Sequence, residues 1–460
     1  MTKKLIFIDI SERKVLLRTV DVFTIVLSIS VASIYTDFNY IDLSNDLVYS
    51  WFLLLITYYL LFGQIFQLYN LNVSNNNFLV FKSVFITSII TTLLYVFSPY
   101  IAPSLPENRL QIIYFFLLIS IPTIIWRLFY IWIFFSPKYF KTIVVVGDSM
   151  ATEKLIELIQ FKNFHNIASY VSNTEINKLS NFHDVKTVDL IELVHSSLAS
   201  EIVISTSGFS KEIIKNLNKQ LISLFKEGIN IKSFETYYEE VTDRVPRDHL
   251  DYNFYKQINF SKNNDNHFYH FIQRVIDIVI SLIGISFFIA ILPLLFIANL
   301  IGNRGALFYT QNRIGFKGKT FKIFKLRSMV VDAEKNGAVW AQKNDSRITS
   351  FGKFLRTTRL DEFPQFFNIL KGEMSLIGPR PERPEFVKEL EEKIPFYSIR
   401  HVVRPGLTGW AQVNYPYANT IEEQETKLRY DLFYIKERSS FLNFKILIKT
   451  ISTVLLLKGQ

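Results

Sequence analysis

Two adjacent carboxylates, Asp361 and Glu362 in the string RLDEFPQFFNIL, are the residues whose types and placement most readily do chemistry. The apolar positions Phe363, Phe366, Phe367 and Leu370 recur at helical spacing, and Pro364 suits a first helical turn, so the pair is expected at a helix N-terminus. The partial positive charge there keeps an Asp ionised and draws in phosphoryl groups. An ionised Asp is also a competent phosphoryl acceptor, as in enzymes that pass through an aspartyl phosphate. On spacing alone, a capping Asp beside a solvated Glu fits at least as well. In GPRPE, Arg380 lies between Pro379 and Pro381, whose fixed φ angles pre-aim the guanidinium for bidentate contact with phosphate. Alone, it reads as a surface Arg in a proline turn. Lys325 and Arg327 in FKLRS alternate with apolar residues, as on one face of a strand. Arg356 precedes the carboxylates and Arg404 stands in VRPG. Together these cations suit several phosphate oxygens, although each taken singly fits a solvated or headgroup-facing charge.

Composition narrows the chemistry. Cysteine is absent, which removes disulfides, thiolate metal sites and cysteine nucleophiles, and the 7 histidines are scattered without metal-ligand spacing. The 460 residues leave room for about three domains. Hydrophobic residues make up 49% and charged ones 20%, too apolar for an ordinary soluble enzyme and far from disorder. A net charge of +10 fits nucleic acid, an anionic membrane face or a phosphate-rich substrate, and the apolar runs favour the last two.

Those residues need elements to hold them. Four apolar stretches, near residues 16–35, 47–68, 78–100 and 110–135, each approach the roughly 20 residues that cross a bilayer as a helix. The first is not a cleaved signal, because no small-residue cleavage site follows it and further spans do. Lys3, Lys4, Arg13, Lys14 and Arg18 precede or open the first span, while the next loop holds Asp37, Asp42 and Asp46 without Lys or Arg, which places the N-terminus in the cytosol. The chain returns to that side near Arg127, Lys138 and Lys141. From Lys141 the strand-like runs TIVVVG, IASYV, EIVIST and NIKSF alternate with the helical ATEKLIELIQFK and KEIIKNLNKQLISLFKEG, the rhythm of a doubly wound α/β domain. Only Gly147 stands where a dinucleotide fingerprint has three glycines, which argues against a bound dinucleotide and for a scaffold or dimerisation module. The polar SKNNDNH, Ser261 to His267, reads as a linker. A fifth apolar run, Val275 to Ile301, contains Pro293 and is followed by Arg304, Arg313, Lys317, Lys319 and Lys322. A full crossing would export those cations, so a helix–break–helix entering and leaving by one leaflet is expected, with a kinked fifth span as the alternative. Near the C-terminus, FLNFKILIKTISTVLLLKG suits an interfacial helix or a packed core helix equally. His401 reads as structural.

Taken in order, QNR-G, K-FK, LDE-PQ-FN-LKG-MS-IGPRPE and RPG-TGWAQVN resemble the bacterial sugar transferase family, the monotopic phosphoglycosyl transferases, over residues 268–460. The segments before them resemble the family's large form. That resemblance implies four transmembrane helices in residues 1–138, a degenerate Rossmann-like α/β domain in 139–260, a linker in 261–267, and a mainly α catalytic domain in 268–460 with a re-entrant membrane helix at about 270–301. It further implies transfer of a sugar 1-phosphate from a UDP-sugar to polyprenyl phosphate with release of UMP, the first membrane step of surface polysaccharide synthesis. In that scheme Asp361 forms a phosphosugar intermediate and Glu362 assists in proton handling or metal placement. Mg²⁺, or Mn²⁺ in its place, is held by Asp361 and the diphosphate, and Lys325, Arg327, Arg356, Arg380 and Arg404 contact phosphate. The implied setting is the bacterial cytoplasmic membrane, multi-pass, with the N-terminus and catalytic domain cytosolic. Its partners are membrane lipid, a second copy of the chain and downstream glycosyltransferases, with no nucleic acid. The chain departs from the family in Leu292 before Pro293, where the smallest relatives have Ser-Pro, and in NYPY from Asn414, where many members have a shorter N-G-R string. A membrane-anchored nucleotide-binding regulator and a polytopic transferase are the rival readings; the short loops between spans lack the acidic cluster the latter needs.

Overall fold

The computed structural model describes residues 10–70, 77–98, 100–106, 108–134, 141–150, 152, 153, 155, 165–176, 181–247, 266–331, 333, 345–415 and 418–455. Most of the expected linker, most of ATEKLIELIQFK and the last five residues lie outside them. The chain divides into two compact units, Met1–Tyr237 and Tyr238–Gln460.

The first unit opens with apolar helices α1 (Ile10–Tyr35), α2 (Val48–Ile65), α3 (Asn77–Val96) and α4 (Leu110–Phe134). Each is long and apolar enough to cross a membrane. They pack through Leu17, Ile25, Leu55, Tyr59, Val84 and Phe115, while large apolar side chains such as Phe23, Leu53, Phe81 and Ile125 stay exposed. Arg127 of α4 donates to Asp21 of α1 at 3.0 and 2.5 Å, and both are buried, so α1 and α4 share a register set by one ion pair. Beyond them lies a parallel sheet of β1 (Lys141–Val146), β2 (His165–Ser172), β3 (Phe182–Asp184), β4 (Glu201–Ile204) and β5 (Asn230–Ser233) in the order β3-β2-β1-β4-β5. Its central strand is the β-branched run Ile143–Val146, buried as a two-sided sheet requires. Helices α5 (Leu190–Ser196) and α6 (Lys211–Lys226) are N-capped by Asp189 and Ser210 and turn Leu193, Leu217, Leu221 and Leu224 onto that core.

The second unit begins inside α7 (Phe234–Thr242). Its long apolar helix α8 (His267–Gly302) starts at an Asn266 N-cap and runs through Pro293 without interruption. The expected break is therefore not a loss of helix: proline removes one backbone hydrogen bond and the turns on either side persist. Contacts run along the whole of α8. Arg274 donates to the carbonyls of Ile369 and Leu370, Asp277 accepts from Leu376 N–H, and Gly284 faces the Phe366 ring. Near its end, Asn299 donates to Gly305 O and Gly302 lies against Phe351. The rest of its surface, including Phe271, Val279, Ile283, Phe296 and Ile301, is exposed and apolar.

An antiparallel hairpin follows, β6 (Phe308–Ile314) and β7 (Thr320–Leu326), then α9 (Ser350–Thr357), a single 3-10 turn (Leu360–Glu362) and α10 (Gln365–Lys371). Strand β8 (Ser375–Ile377) pairs in parallel with β9 (Gly406–Thr408), with α11 (Pro384–Lys393) and a 3-10 segment (Tyr397–Val402) between them. The chain closes with α12 (Trp410–Asn414), α13 (Ile421–Glu437) and α14 (Ser440–Leu455). At Gly378 and Gly406 the two backbones touch, so any Cβ there would collide with main chain. Helix α14 packs Leu442 and Ile446 into the core and leaves Phe441, Phe444 and Leu455 exposed.

Candidate active site

Strand β7, helix α9 and the loop that carries Arg380 converge on Asp361 and Glu362. The carboxylates lie at a helix N-terminus, as expected, although not within the α-helix itself. They sit on the 3-10 turn before α10, with Pro364 at the N-cap, because Arg359 takes a left-handed conformation (φ 60°) that closes α9 and redirects the chain. Both carboxylates are buried. Glu362 accepts from Arg380 Nη2 at 2.9 Å and faces Lys325 Nζ at 3.8 Å and Arg359 Nη1 at 3.9 Å. Asp361 Oδ1 has no hydrogen-bond partner among the described residues. An orphaned carboxylate oxygen in a buried, cationic setting is costly unless a ligand or a reaction uses it.

The electrostatics separate the two acids. Burial and the neighbouring Glu362 push Asp361 up to about 6, against the pull of Lys325, Arg356 and Arg359. Burial alone would raise Glu362 as well, but Arg380, Lys325 and Arg359 overcome it and take that acid down to about 2. Lys325 is pushed down to about 8 by burial and by Arg380, with Glu362 opposing. At neutral pH the pair is ionised, and Asp361 is the more basic and less bonded oxygen donor.

The structure thus brings together Asp361, Glu362, Lys325, Arg356 and Arg380. Arg356 is also bonded to Ser328 Oγ at 2.9 Å. Arg327 falls outside the cluster. It leaves β7 beyond the last paired residue, lies buried against Gly305 and donates to Asn303 O at 3.2 Å, bracing the turn after α8. Arg404 is exposed, and its charge acts on Asp277 of α8. Arg359 is the cation that sequence reasoning passed over; its place beside LDE was the available signal. A second group also went unread, because its members lie far apart in sequence: Arg313, Glu382, Arg400, Lys427 and Asp431. His401 is held down to about 4 by burial and Arg400, and it packs on Tyr397.

The donor set fits a magnesium ion of the kind that takes one or two carboxylates and completes its shell with substrate phosphate. Asp361 Oδ1 is available to it, and among the described residues no group of three or more acidic, His or Cys side chains offers an all-protein cage.

A family model described as bacterial sugar transferase matches residues 268–457. The chain is 42% identical over 217 residues, 47% of its length, to a UDP-N-acetylgalactosamine-undecaprenyl-phosphate N-acetylgalactosaminephosphotransferase of Aeromonas hydrophila, and it spans 50% of that protein. A putative undecaprenyl-phosphate N-acetylgalactosaminyl 1-phosphate transferase of Bacillus subtilis is 51% identical over 129 residues, 28% of this chain and 72% of that one. A UDP-glucose:undecaprenyl-phosphate glucose-1-phosphate transferase of Caulobacter vibrioides is 35% identical over 185 residues, 40% of this chain and 69% of that one.

Proposed function

The chain belongs to the bacterial sugar transferase family, and from that premise we propose that it moves a sugar 1-phosphate from a UDP-sugar to polyprenyl phosphate. The products are UMP and a polyprenyl diphosphate sugar. The observation that carries this reading is the unbonded, buried Asp361 oxygen among Lys325, Arg356, Arg359 and Arg380.

Asp361 attacks the phosphorus that bears the sugar. The new carboxylate O–P bond forms as the bond to UMP breaks, and UMP leaves with the electron pair. An oxygen of polyprenyl phosphate then attacks the same phosphorus, and the carboxylate O–P bond breaks to return Asp361. Arg380, Lys325, Arg356 and Arg359 hold the phosphate oxygens while charge moves between them. Glu362, ionised down to about 2, suits anchoring Arg380 and Lys325 better than carrying a proton. Bound beside Asp361, Mg²⁺ would supply neutralising charge for the diphosphate.

The helices support a membrane setting. A straight helix of α8's 36 residues is far longer than a bilayer core, yet its start, middle and end all touch the same unit. That pattern supports a helix held at one face of a membrane, with the four apolar helices as a transmembrane region and the parallel sheet as a Rossmann-like module. The cytosolic side of the bacterial inner membrane is where UDP-sugars meet such a unit. A second copy and downstream glycosyltransferases are the proposed partners.

The test is donor labelling without lipid. A UDP-sugar panel labelled in the sugar, given to the full chain in nanodiscs, should release UMP and leave label on the peptide containing Asp361. Asp361→Asn should abolish both without unfolding. Sequential kinetics with no labelled peptide would reduce Asp361 to a metal ligand.

A further inference from the structure

We propose that Arg400, held by Asp431, and Arg313, held by Glu382, are positioning residues that clamp the backbone of Pro379-Arg380-Pro381-Glu382 and so aim the Arg380 guanidinium at the donor diphosphate. The proposal rests on the transferase reading above and adds Arg313, Arg400 and Asp431, which lie outside the string that holds Asp361 and Arg380.

The need for a clamp comes from the two prolines. They fix φ at positions 379 and 381, but they also lack N–H groups, so the loop builds no hydrogen-bonded structure of its own. Its carbonyls therefore take donors from elsewhere, and all four do, Pro379 O accepting from the Gly406 backbone N–H at 2.9 Å. Arg380 O accepts from Arg400 Nη2 at 3.0 Å, Pro381 O from Arg313 Nη1 at 3.1 Å, and Glu382 O from the Ile314 backbone N–H at 2.9 Å. The donors belong to three distant pieces of chain, strand β9, the 3-10 segment Tyr397–Val402 and strand β6.

Each donor is itself fixed. The same Arg400 nitrogen donates to Asp431 Oδ2 of α13 at 2.8 Å, its other terminal nitrogen bonds Tyr397 Oη, and Arg400 and Asp431 are both buried. Arg313 faces Glu382 Oε2 at 3.6 Å, and Lys427 Nζ holds the other oxygen of Glu382 at 2.6 Å. Burial opposes the charge on Glu382, yet Lys427, Arg400 and Arg313 take that acid down to about 2, so the brace stays ionised at working pH. Buried ion pairs of this kind add little net stability over apolar packing but impose one geometry. Here that geometry ends at Arg380 Nη2 on Glu362, next to Asp361.

The experiment is a double-mutant cycle on UMP release by the full chain in nanodiscs, with circular dichroism as the folding control. Arg400→Lys keeps the charge but loses the planar fork that sets one nitrogen between Arg380 O and Asp431 while the other bonds Tyr397, and it should lower donor kcat/KM roughly tenfold to a hundredfold. Arg313→Lys, which leaves the Arg400–Asp431 pair intact, should act in the same direction and serves if Arg400→Lys does not fold. In an Arg380→Ala background either replacement should cost less than about twofold more, because the group being aimed is gone. Losses that multiply undiminished in that background would overturn the clamp, since a general defect in packing does not depend on Arg380. A wild-type chain that releases no UMP from any UDP-sugar would instead overturn the transferase reading, and the clamp with it.

Discussion

At the scale of single residues, Asp361 and Lys325 carry opposite perturbations with one cause. Burial penalises charge, raising the acid to about 6 and lowering the base to about 8. In the proposed mechanism the attacking form is the carboxylate, so donor kcat/KM should fall as pH drops below about 6 and Asp361 takes up its proton. In the same proposal Lys325 holds phosphate as the ammonium, so the same parameter should fall again as pH rises through about 8. The profile is therefore a bell. Lys325→Arg keeps its charge over the whole range and should remove the alkaline limb while leaving the acid limb in place. An unchanged alkaline limb in that variant would assign it to another group. The buried carboxylate pair and the nearby Arg380 were legible in the sequence because LDE and GPRPE are compact strings. The pairing of Glu362 with Arg380 was not, since it depends on a turn set by the left-handed Arg359.

At the scale of elements, the site depends on how closely α8 approaches α10. Gly284 makes that approach possible: a Cβ there would lie 2.5 Å from the Phe366 ring. Gly284→Val should push α8 off α10, lower the midpoint of thermal unfolding in detergent by an amount equivalent to about 1–3 kcal/mol, and reduce UMP release. Phe366→Ala in the same chain should restore much of the loss, whereas an undiminished defect would show that the strain lies elsewhere. The sequence identified α8 by hydropathy and marked Pro293, but it placed the consequence of that proline too strongly. Local chemistry says that a backbone bond is lost; tertiary contacts on both sides, from Phe288 to Leu295 and Leu355, keep the helix continuous. Similarly, alternation in FKLRS predicted one face for Lys325 and Arg327, but the strand ends at Leu326 and the faces part.

At the scale of the whole molecule, the compact division falls after Tyr237, some way before the polar string that reads as a linker. The described residues from Tyr238 to Pro246 explain why. Val245 is fully buried in the core of the second unit, and Arg429 Nε donates to its carbonyl at 2.7 Å. Trp410 Nε1 donates to Asp243 O at 2.9 Å, and Lys436 grips Glu239 at 2.7 Å. None of this was legible, because carbonyl acceptors have no side-chain signature and Val245 is a lone apolar residue in a polar stretch. A fragment beginning near His267 would keep every reactive residue yet leave the Trp410 N–H and the Arg429 guanidinium without these acceptors. Each buried donor so orphaned costs about 1–3 kcal/mol, and loss of the Val245 contact adds about 1.5–3 kcal/mol. A fragment beginning near residue 234 retains them. It should melt higher in detergent than the shorter fragment and release UMP at a rate closer to that of the full chain. Equal melting temperatures and rates for the two fragments would show that this strap is dispensable and that the catalytic unit is complete from α8 onward.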